Sequence, residues 1–242
     1  GALRQIIRET LTYKDGKHLL WLPDGEKRRK EAERSLEHLR LLVKEHDTSL
    51  RTKKEERAAR QKELELCRDG AAFQKKLADL TARFNGWRQD PDRAAAGYAL
   101  EDILCELFTL FDLQPRGAFR RVGEQIDGAF IHDGDHFLLE AKWRAALVNL
   151  ADLRDLDGAV GSSLDNTLGL FVSINGFSRE AIAAYSQGAR PKIICMDGQD
   201  LVFVLEARID LNDLLRRKRD IAVQKRLIYV GVTDIMSGGP GL

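Results

Sequence analysis

Methionine, tryptophan, cysteine and proline are scarce in this 242-residue sequence, at 2, 3, 3 and 5 residues. The three cysteines, Cys67, Cys105 and Cys195, stand far apart. There is no C-x-x-C pair and no zinc spacing, which argues against a disulfide framework or a structural zinc and favours a reducing compartment. No uncharged run approaches the ~18–20 apolar residues needed to span a bilayer. No charged-then-apolar leader opens the sequence, so the expectation is a cytoplasmic protein with no membrane partner. No G-x-x-x-x-G-K-[ST] motif occurs, so NTP hydrolysis would have to come from elsewhere. His18, His38, His46, His132 and His136 form no ligand spacing and accompany no plausible Ser or Cys nucleophile. An excess of either charge is also missing: 39 Lys+Arg meet 38 Asp+Glu, for a net +1. That balance argues at first against a nucleic-acid partner.

Apolar residues make up 43% of the chain, enough to bury a core. Charge is uneven along it. Residues 1–90 sum to +6 and residues 91–242 to −5. The near-zero total therefore hides a basic first part and an acidic body.

Four segments follow from composition. Residues 1–25 hold scattered apolar positions, and a turn at Asp15-Gly16 would join two short strands there. Residues 26–90 read as a helical arm, first one long helix over 26–68, free of Pro and Gly. Leu36, Leu39, Val43, His46 and Leu50 make a seam that lapses over 51–63, so this is only a partial coiled coil. Asp69-Gly70 breaks it, and Phe73, Leu77, Leu80 and Phe84 mark a second amphipathic helix. The pair predicts a hairpin or a docking arm over 26–86; a merely solvated helix face is the plain alternative. Residues 91–232 read as a separate α/β domain, and 233–242 as a flexible tail. Asp90-Pro91 predicts a helix start, and that helix runs to about Asp112.

Residues 119–132 and 136–143 read as two strands joined at Asp133-Gly134, a pair suited to a two-residue type I′ turn. Such a turn sets His132 against Asp135 and, further along, Asp127 against Glu140. Opposed residues share a face, and Lys142 lies two beyond Glu140 on the same face. Ile126, Leu139 and Ala141 would face a core on the other side. Opposed carboxylates destabilise a sheet unless something neutralises them, and carboxylate oxygens suit Mg²⁺ or Mn²⁺. Glu101 is a further acid on the helix just upstream, and Gln125 should share the face of Asp127. D-x(n)-E-x-K alone is a weak signal, and the plain alternative is a solvated polar face.

The order helix, strand with GEQIDGAF, strand with FLLEAKW, helix, strand, helix resembles the PD-(D/E)XK nuclease superfamily, and within it the Mrr-like restriction endonucleases. The pieces carrying the resemblance are GYALEDILCELF, GEQIDGAF, FLLEAKW, LGLFVSINGFSREAIAAY and KIICMDGQDLVFVL, over about residues 92–230. Ile126 stands where the family name has Pro. The resemblance implies a restriction-endonuclease-like α/β core, a mixed sheet flanked by helices, behind an α-helical, partly coiled-coil extension. It also implies a Mg²⁺- or Mn²⁺-dependent deoxyribonuclease. Asp127 and Glu140 would be the main metal ligands, with the Ala141 carbonyl and Glu101 as further contacts. Lys142 would orient the attacking water or stabilise the charge developing on phosphorus, and Gln125 would hydrogen-bond a phosphate or the water.

Downstream, residues 147–164 read as a helix whose Asp152, Asp155 and Asp157 form a solvated face. Thr167 to Ile174 reads as a strand, Ser178 as a helix cap, and Pro191 to Cys195 as a strand turned at Asp197-Gly198. Asp210 or Asn212 starts a last helix ending in the charged stretch 216–220, and Leu227–Val232 would add an edge strand. The leading expectation is a duplex-DNA endonuclease of bacterial restriction or anti-phage defence. Its helical arm would serve for homodimerisation, for docking on a defence-system partner, or for DNA binding. A catalytically idle nucleic-acid-binding or scaffold protein of the same fold is the alternative.

Overall fold

Helix-forming residues dominate the first third of the chain. The computed structural model describes residues 2–12, 17–68, 70–121, 124–187 and 191–238. The chain divides into two units, Gly1–Asp69 and Gly70–Leu242. In the first, α1 spans Ala2–Thr12 and a 3₁₀ turn spans Lys17–Trp21. The two short strands expected here are therefore replaced by helix; Ile6, Ile7 and Leu11 are spaced by one and four, which suits helix better than alternation. The expected turn at Asp15-Gly16 lies outside the described residues. α2 then runs as one helix, Gly25–Arg68, as its lack of Pro and Gly predicts. Leu36, Leu39 and Val43 are half-buried along it, while Trp21, Leu41 and Leu42 stay exposed. The His46 and Leu50 side chains of the expected seam lie outside the described ones.

The second unit begins earlier than the sequence reading placed it. α3, Ala71–Gln89, buries Leu77, Leu80 and Phe84 in the same core as α4, Arg93–Leu110. It is a core helix, not half of an arm. Arg83 of α3 and Lys76 both bind Glu106 of α4, at 2.6 and 2.5 Å. The cap of α4 also differs. Asp92, not Asp90, accepts from the Ala94 and Ala95 N–H groups, and Asp90 instead accepts from the Asp92 N–H. Leu100, Ile103, Leu104 and Leu107 form the buried face of α4, as their spacing predicts.

Four strands make a mixed sheet in the order β3-β4-β5-β6: Gly128–His132, Asp135–Lys142, Thr167–Ser173 and Ile193–Asp197. β3 and β4 are antiparallel; β4, β5 and β6 run parallel. The hairpin register is the expected one, with His132 against Asp135. Asp133 and Gly134 both take positive φ, 54° and 87°, which is what a type I′ turn requires. A separate two-stranded ribbon, β1 (Phe119–Arg121) and β2 (Glu124–Ile126), precedes the sheet.

Each sheet face has its own core. Phe137, Leu139 and Ala141 of β4 join α3, α4, α7 (Gly198–Leu205) and α8 (Leu211–Lys225). Leu138 joins Phe171, Cys195 and the helices α5 (Leu150–Gly161) and α6 (Arg179–Ser186). α6 is capped by Ser178 as expected. α5 starts at an Asn149 cap, three residues later than the leucine spacing predicts. Asp197-Gly198 opens α7, not a tight turn: Asp197 and Asp200 form a capping box. Gly198 is needed for space, because a Cβ there would lie 2.5 Å from the Ile174 carbonyl oxygen.

The expected edge strand over 227–232 does not form. Ile228 gives one carbonyl to the Cys195 N–H at 2.9 Å, and residues 232–236 continue as α9, Val232–Met236. This C-terminal end is held by a buried ion pair. Lys218 meets Asp200 at 2.6 Å and donates to the Val230 carbonyl, while the Val232 N–H donates to Asp200. The charged stretch 216–220 is thus not wholly solvated. Among the described residues, no helix is long and apolar enough to cross a membrane.

Candidate active site

Alternation along β4 puts Leu138, Glu140 and Lys142 on the face covered by α5. Glu140 and Lys142 are the last polar positions of the strand and are half-buried. Lys142 Nζ lies 3.4 Å from the Glu140 carboxylate.

Asp127 comes to the same place by a different route from the one expected. The β3–β4 ladder ends at Gly128–Leu139, and Asp127 is a bend residue between β2 and β3. Its Oδ2 accepts the Ala141 N–H at 3.0 Å, so the carboxylate is pinned to the strand between Glu140 and Lys142. The bend changes its neighbours. Ile126 is buried in the α5-side core while Leu139 and Ala141 are buried in the other, so the expected shared face is not formed. The reason is that β2 pairs back onto β1 rather than continuing along β4. Gln125 is exposed on β2 opposite Arg120 and does not follow Asp127 onto the β4 face.

Glu101 on α4 is half-buried within the field of Asp127. Burial first, then the charges of Asp127 and Asp102, push its carboxyl up to about 7. Burial and then Asp127 likewise push Glu140 up to about 7, against the pull of Lys142. Burial raises Asp127 above its ordinary value, opposed by the Ala141 N–H and Lys142. Three carboxyl groups thus share a region with too little positive charge to keep them all ionised at neutrality.

The strongest ties of Lys142 are to a residue the sequence reading set aside. Asp152, on the first turn of α5, is buried and accepts from Lys142 Nζ at 2.9 Å and from Arg144. It also closes the capping box with Asn149. Asp152 is therefore not part of a solvated face. Burial opposes its charge, yet the Asn149 N–H, Lys142 and Arg144 more than offset this and hold its pKa below the ordinary value. For Lys142, burial works against the ammonium, but Asp152 and Glu140 outweigh it and raise its pKa. The signal for Asp152 was present in the sequence: Asn149-x-x-Asp152 is a capping-box spacing, and a capping acid sits at a helix start rather than on an open face. Asp157, of the same supposed face, accepts from the Tyr185 hydroxyl. Trp143 points into the opposite core and stacks on Phe84 at 5.0 Å, as a helix-packing residue should.

The donors gathered here are all oxygen, which fits a hard divalent cation and not zinc or copper. Among the described residues no three acidic, His or Cys side chains converge into a ready-made metal cage. Mg²⁺ does not ask for one: it keeps several waters and uses one or two carboxylates together with substrate phosphate.

A family model described as restriction endonuclease, Mrr_cat, matches residues 93–205. Among solved structures the chain is similar to the MspJI restriction endonuclease in complex with a 27-mer oligonucleotide, at 15% identity and a TM-score of 0.33. That likeness covers 61% of this chain and 37% of the other, so the chain spans little more than a third of that protein's length. No curated protein matches. The family match takes in α4, the whole sheet, α5, α6 and α7, and stops before α8. From α4 to α7 the chain is thus similar to the Mrr-type restriction endonucleases, in keeping with the PD-(D/E)XK resemblance of its sequence.

Proposed function

We propose that the protein is a metal-dependent endonuclease that hydrolyses DNA phosphodiester bonds, working in bacterial restriction or anti-phage defence. The observation that carries this is the pinning of Asp127 to the Ala141 N–H, between Glu140 and Lys142 on β4. Asp127 and Glu140, with the Ala141 carbonyl and Glu101 as further contacts, would hold Mg²⁺ or Mn²⁺. Bound there, the cation would lower the pKa of a water and offset the negative charge of the phosphate. Its charge also answers the burial and the carboxylate crowding that hold Glu101 and Glu140 near 7.

Lys142 keeps its proton at neutral pH, since its pKa is raised. It therefore acts as a fixed cation beside the reacting phosphate and not as a general base. Asp152 and Glu140 hold Nζ in place, so the ammonium does not have to be ordered during the reaction. Gln125, exposed on the ribbon, is assigned no role in the chemical step; it remains a candidate for contact with the nucleic-acid strand.

The test is cleavage of duplex DNA, single-stranded DNA and RNA side by side, with Mg²⁺, with Mn²⁺ and with EDTA. Metal-dependent cutting of duplex DNA is expected, abolished by EDTA and by Asp127→Asn in a protein that still melts cooperatively. Wild-type cutting by Asp127→Asn would overturn the site. Cutting of RNA alone would overturn the substrate. Binding without cutting under every condition would favour the idle-scaffold alternative.

A further inference from the structure

β1 of the ribbon and the residues that follow α5 line an open recess of about 810 Å³ beside β3 and β4. It does not contain Asp127, Glu140 or Glu101. Three arginines line it, Arg116, Arg120 and Arg121, and among its described lining residues there is no Asp or Glu. In a unit that is acidic overall, this concentration of one sign is a local reversal.

Aromatic and hydroxyl contacts position two of the arginines, Arg116 and Arg121. The Arg116 and Arg121 guanidiniums sit over the Phe119 ring, at 4.5 and 5.7 Å from its centroid. Arg121 also donates to the Ser163 hydroxyl at 2.8 Å, which ties the ribbon to the end of α5. Arg116 is fixed through its backbone, in a two-bond bridge with Ala129 of β3. Guanidiniums held in this way keep N–H donors available for a planar or tetrahedral anion. Asn166, Ser162 and Ser163 add uncharged polar groups to the lining, and Phe119 offers an aromatic surface. The volume is in the range that takes a nucleotide-sized ligand.

Its placement relates it to the carboxylates. Leu138 in the recess and Glu140 lie on the same face of β4, two residues apart. α5 runs from Asp152, beside Lys142, towards Ser162 and Ser163 at the recess, so the two sites lie about 15 Å apart by helix rise. A strand with one phosphate at Lys142 can reach the recess within a few nucleotides.

We propose that this arginine recess binds a nucleoside phosphate, as a flanking nucleotide of the strand whose other phosphate lies at Asp127 and Glu140. The choice of a nucleotide rests on the nuclease reading above; the anion site itself rests on the three arginines. The recess holds the strand and performs no chemistry, so Arg116 and Arg120 are positioning residues.

The test measures binding in EDTA, where cleavage is off, by fluorescence anisotropy of a labelled single-stranded 12-mer and by competition with dAMP and with inorganic phosphate. Arg116→Gln with Arg120→Gln should weaken 12-mer binding at least tenfold. It should also reduce the slope of log K against log salt by about 0.7, the loss of one phosphate contact on a single strand. Asn166→Asp places a carboxylate in the recess without touching the ribbon and should weaken binding in the same direction. Arg208→Gln, an exposed arginine over Phe203 elsewhere, should bind as wild type. Competition by dAMP or phosphate that is lost in the arginine variant identifies a site for the free anion. Loss of 12-mer binding alone identifies the strand as the source. Equal 12-mer binding by wild type, the arginine variant and Asn166→Asp would overturn the proposal, as would a wild type that binds none of the three probes. Cleavage of bis(p-nitrophenyl) phosphate, too short to reach the recess, should be unchanged by the arginine substitutions while KM for the oligonucleotide rises. If wild type cuts nothing but binds in an arginine-dependent way, the nuclease reading fails and the anion site stands.

Discussion

Asp127 and Asp152 both feel the charge of Lys142, yet their carboxyl groups shift in opposite directions. Burial raises Asp127 above its ordinary pKa against the pull of the Ala141 N–H and Lys142; Asp152 is saturated with donors and lowered. Lys142→Met should cut cleavage by roughly 10²–10³-fold, the usual cost of losing one fixed charge at a developing anion, with little change in the melting temperature. Asp152→Asn should act differently. It removes part of what keeps Lys142 protonated, so the alkaline limb of the pH–rate profile should move to lower pH, and removal of a buried acceptor for Lys142, Arg144 and the Asn149 N–H should cost about 1–3 kcal/mol. A pH–rate profile with an unmoved alkaline limb would remove Asp152 from this role. Glu101 and Glu140 titrate near 7 in the fold against 4.5 when free, so they stay protonated in the folded metal-free protein over most of that interval. Stability of the metal-free protein should therefore fall as the pH rises through about 4.5–7. A cation needs the ionised forms, so the rise in melting temperature on adding Mn²⁺ should be larger at about pH 8 than at about pH 6. Thermal shift at the two pH values checks both statements.

At the scale of elements, the unit is held by contacts between segments that composition alone does not relate. α3 is the clearest case. Its apolar face was legible as Phe73, Leu77, Leu80 and Phe84, but the partner of that face was not. Leu80→Ala should destabilise the second unit by about 2–5 kcal/mol, since the side chain is fully buried; an arm helix would show no such loss. The buried pair Lys218–Asp200 joins α7 to α8 and, through Val230 and Val232, to the C-terminal segment. Lys218→Met should cost about 3–5 kcal/mol because it leaves Asp200 buried without its partner. Chemical denaturation measures both. The hairpin illustrates the opposite situation. Asp133-Gly134 specified its own turn and register, because a type I′ turn is local chemistry. Yet the strand was read through to residue 119 without a break. The bend at Asp127 depends on β2 finding β1 instead of β4, and that choice is made by packing on the α5 side.

For the whole molecule, the boundary between the units lies at residues 69 and 70 and not near 90. A fragment of residues 70–242 should fold alone, with a cooperative melt, since its core is contained within it. Removal of residues 26–86 should instead abolish folding, because it takes Leu77, Leu80 and Phe84 out of the core. Light scattering of the full chain against the 70–242 fragment tests whether α2 serves as a dimerisation or docking helix. A dimer lost on removing residues 1–69 is the expected result.

Amino-acid order by itself determined what is local or periodic: the long helix α2, the faces of α3 and α4, the β3–β4 turn and its register, the Ser178 cap, and the Glu140-Ala141-Lys142 spacing. Each follows from backbone geometry acting over a few residues. Tertiary structure decided which faces meet and which charges are buried. It assigned α3 to the second unit, bent the chain at Asp127 so that its carboxylate reaches the Ala141 N–H, buried Asp152 against Lys142, and buried Lys218 against Asp200. Desolvation and pairing at a distance have no period and no fixed spacing, so Asp152 read in the sequence as part of a solvated face until the chain had folded around it.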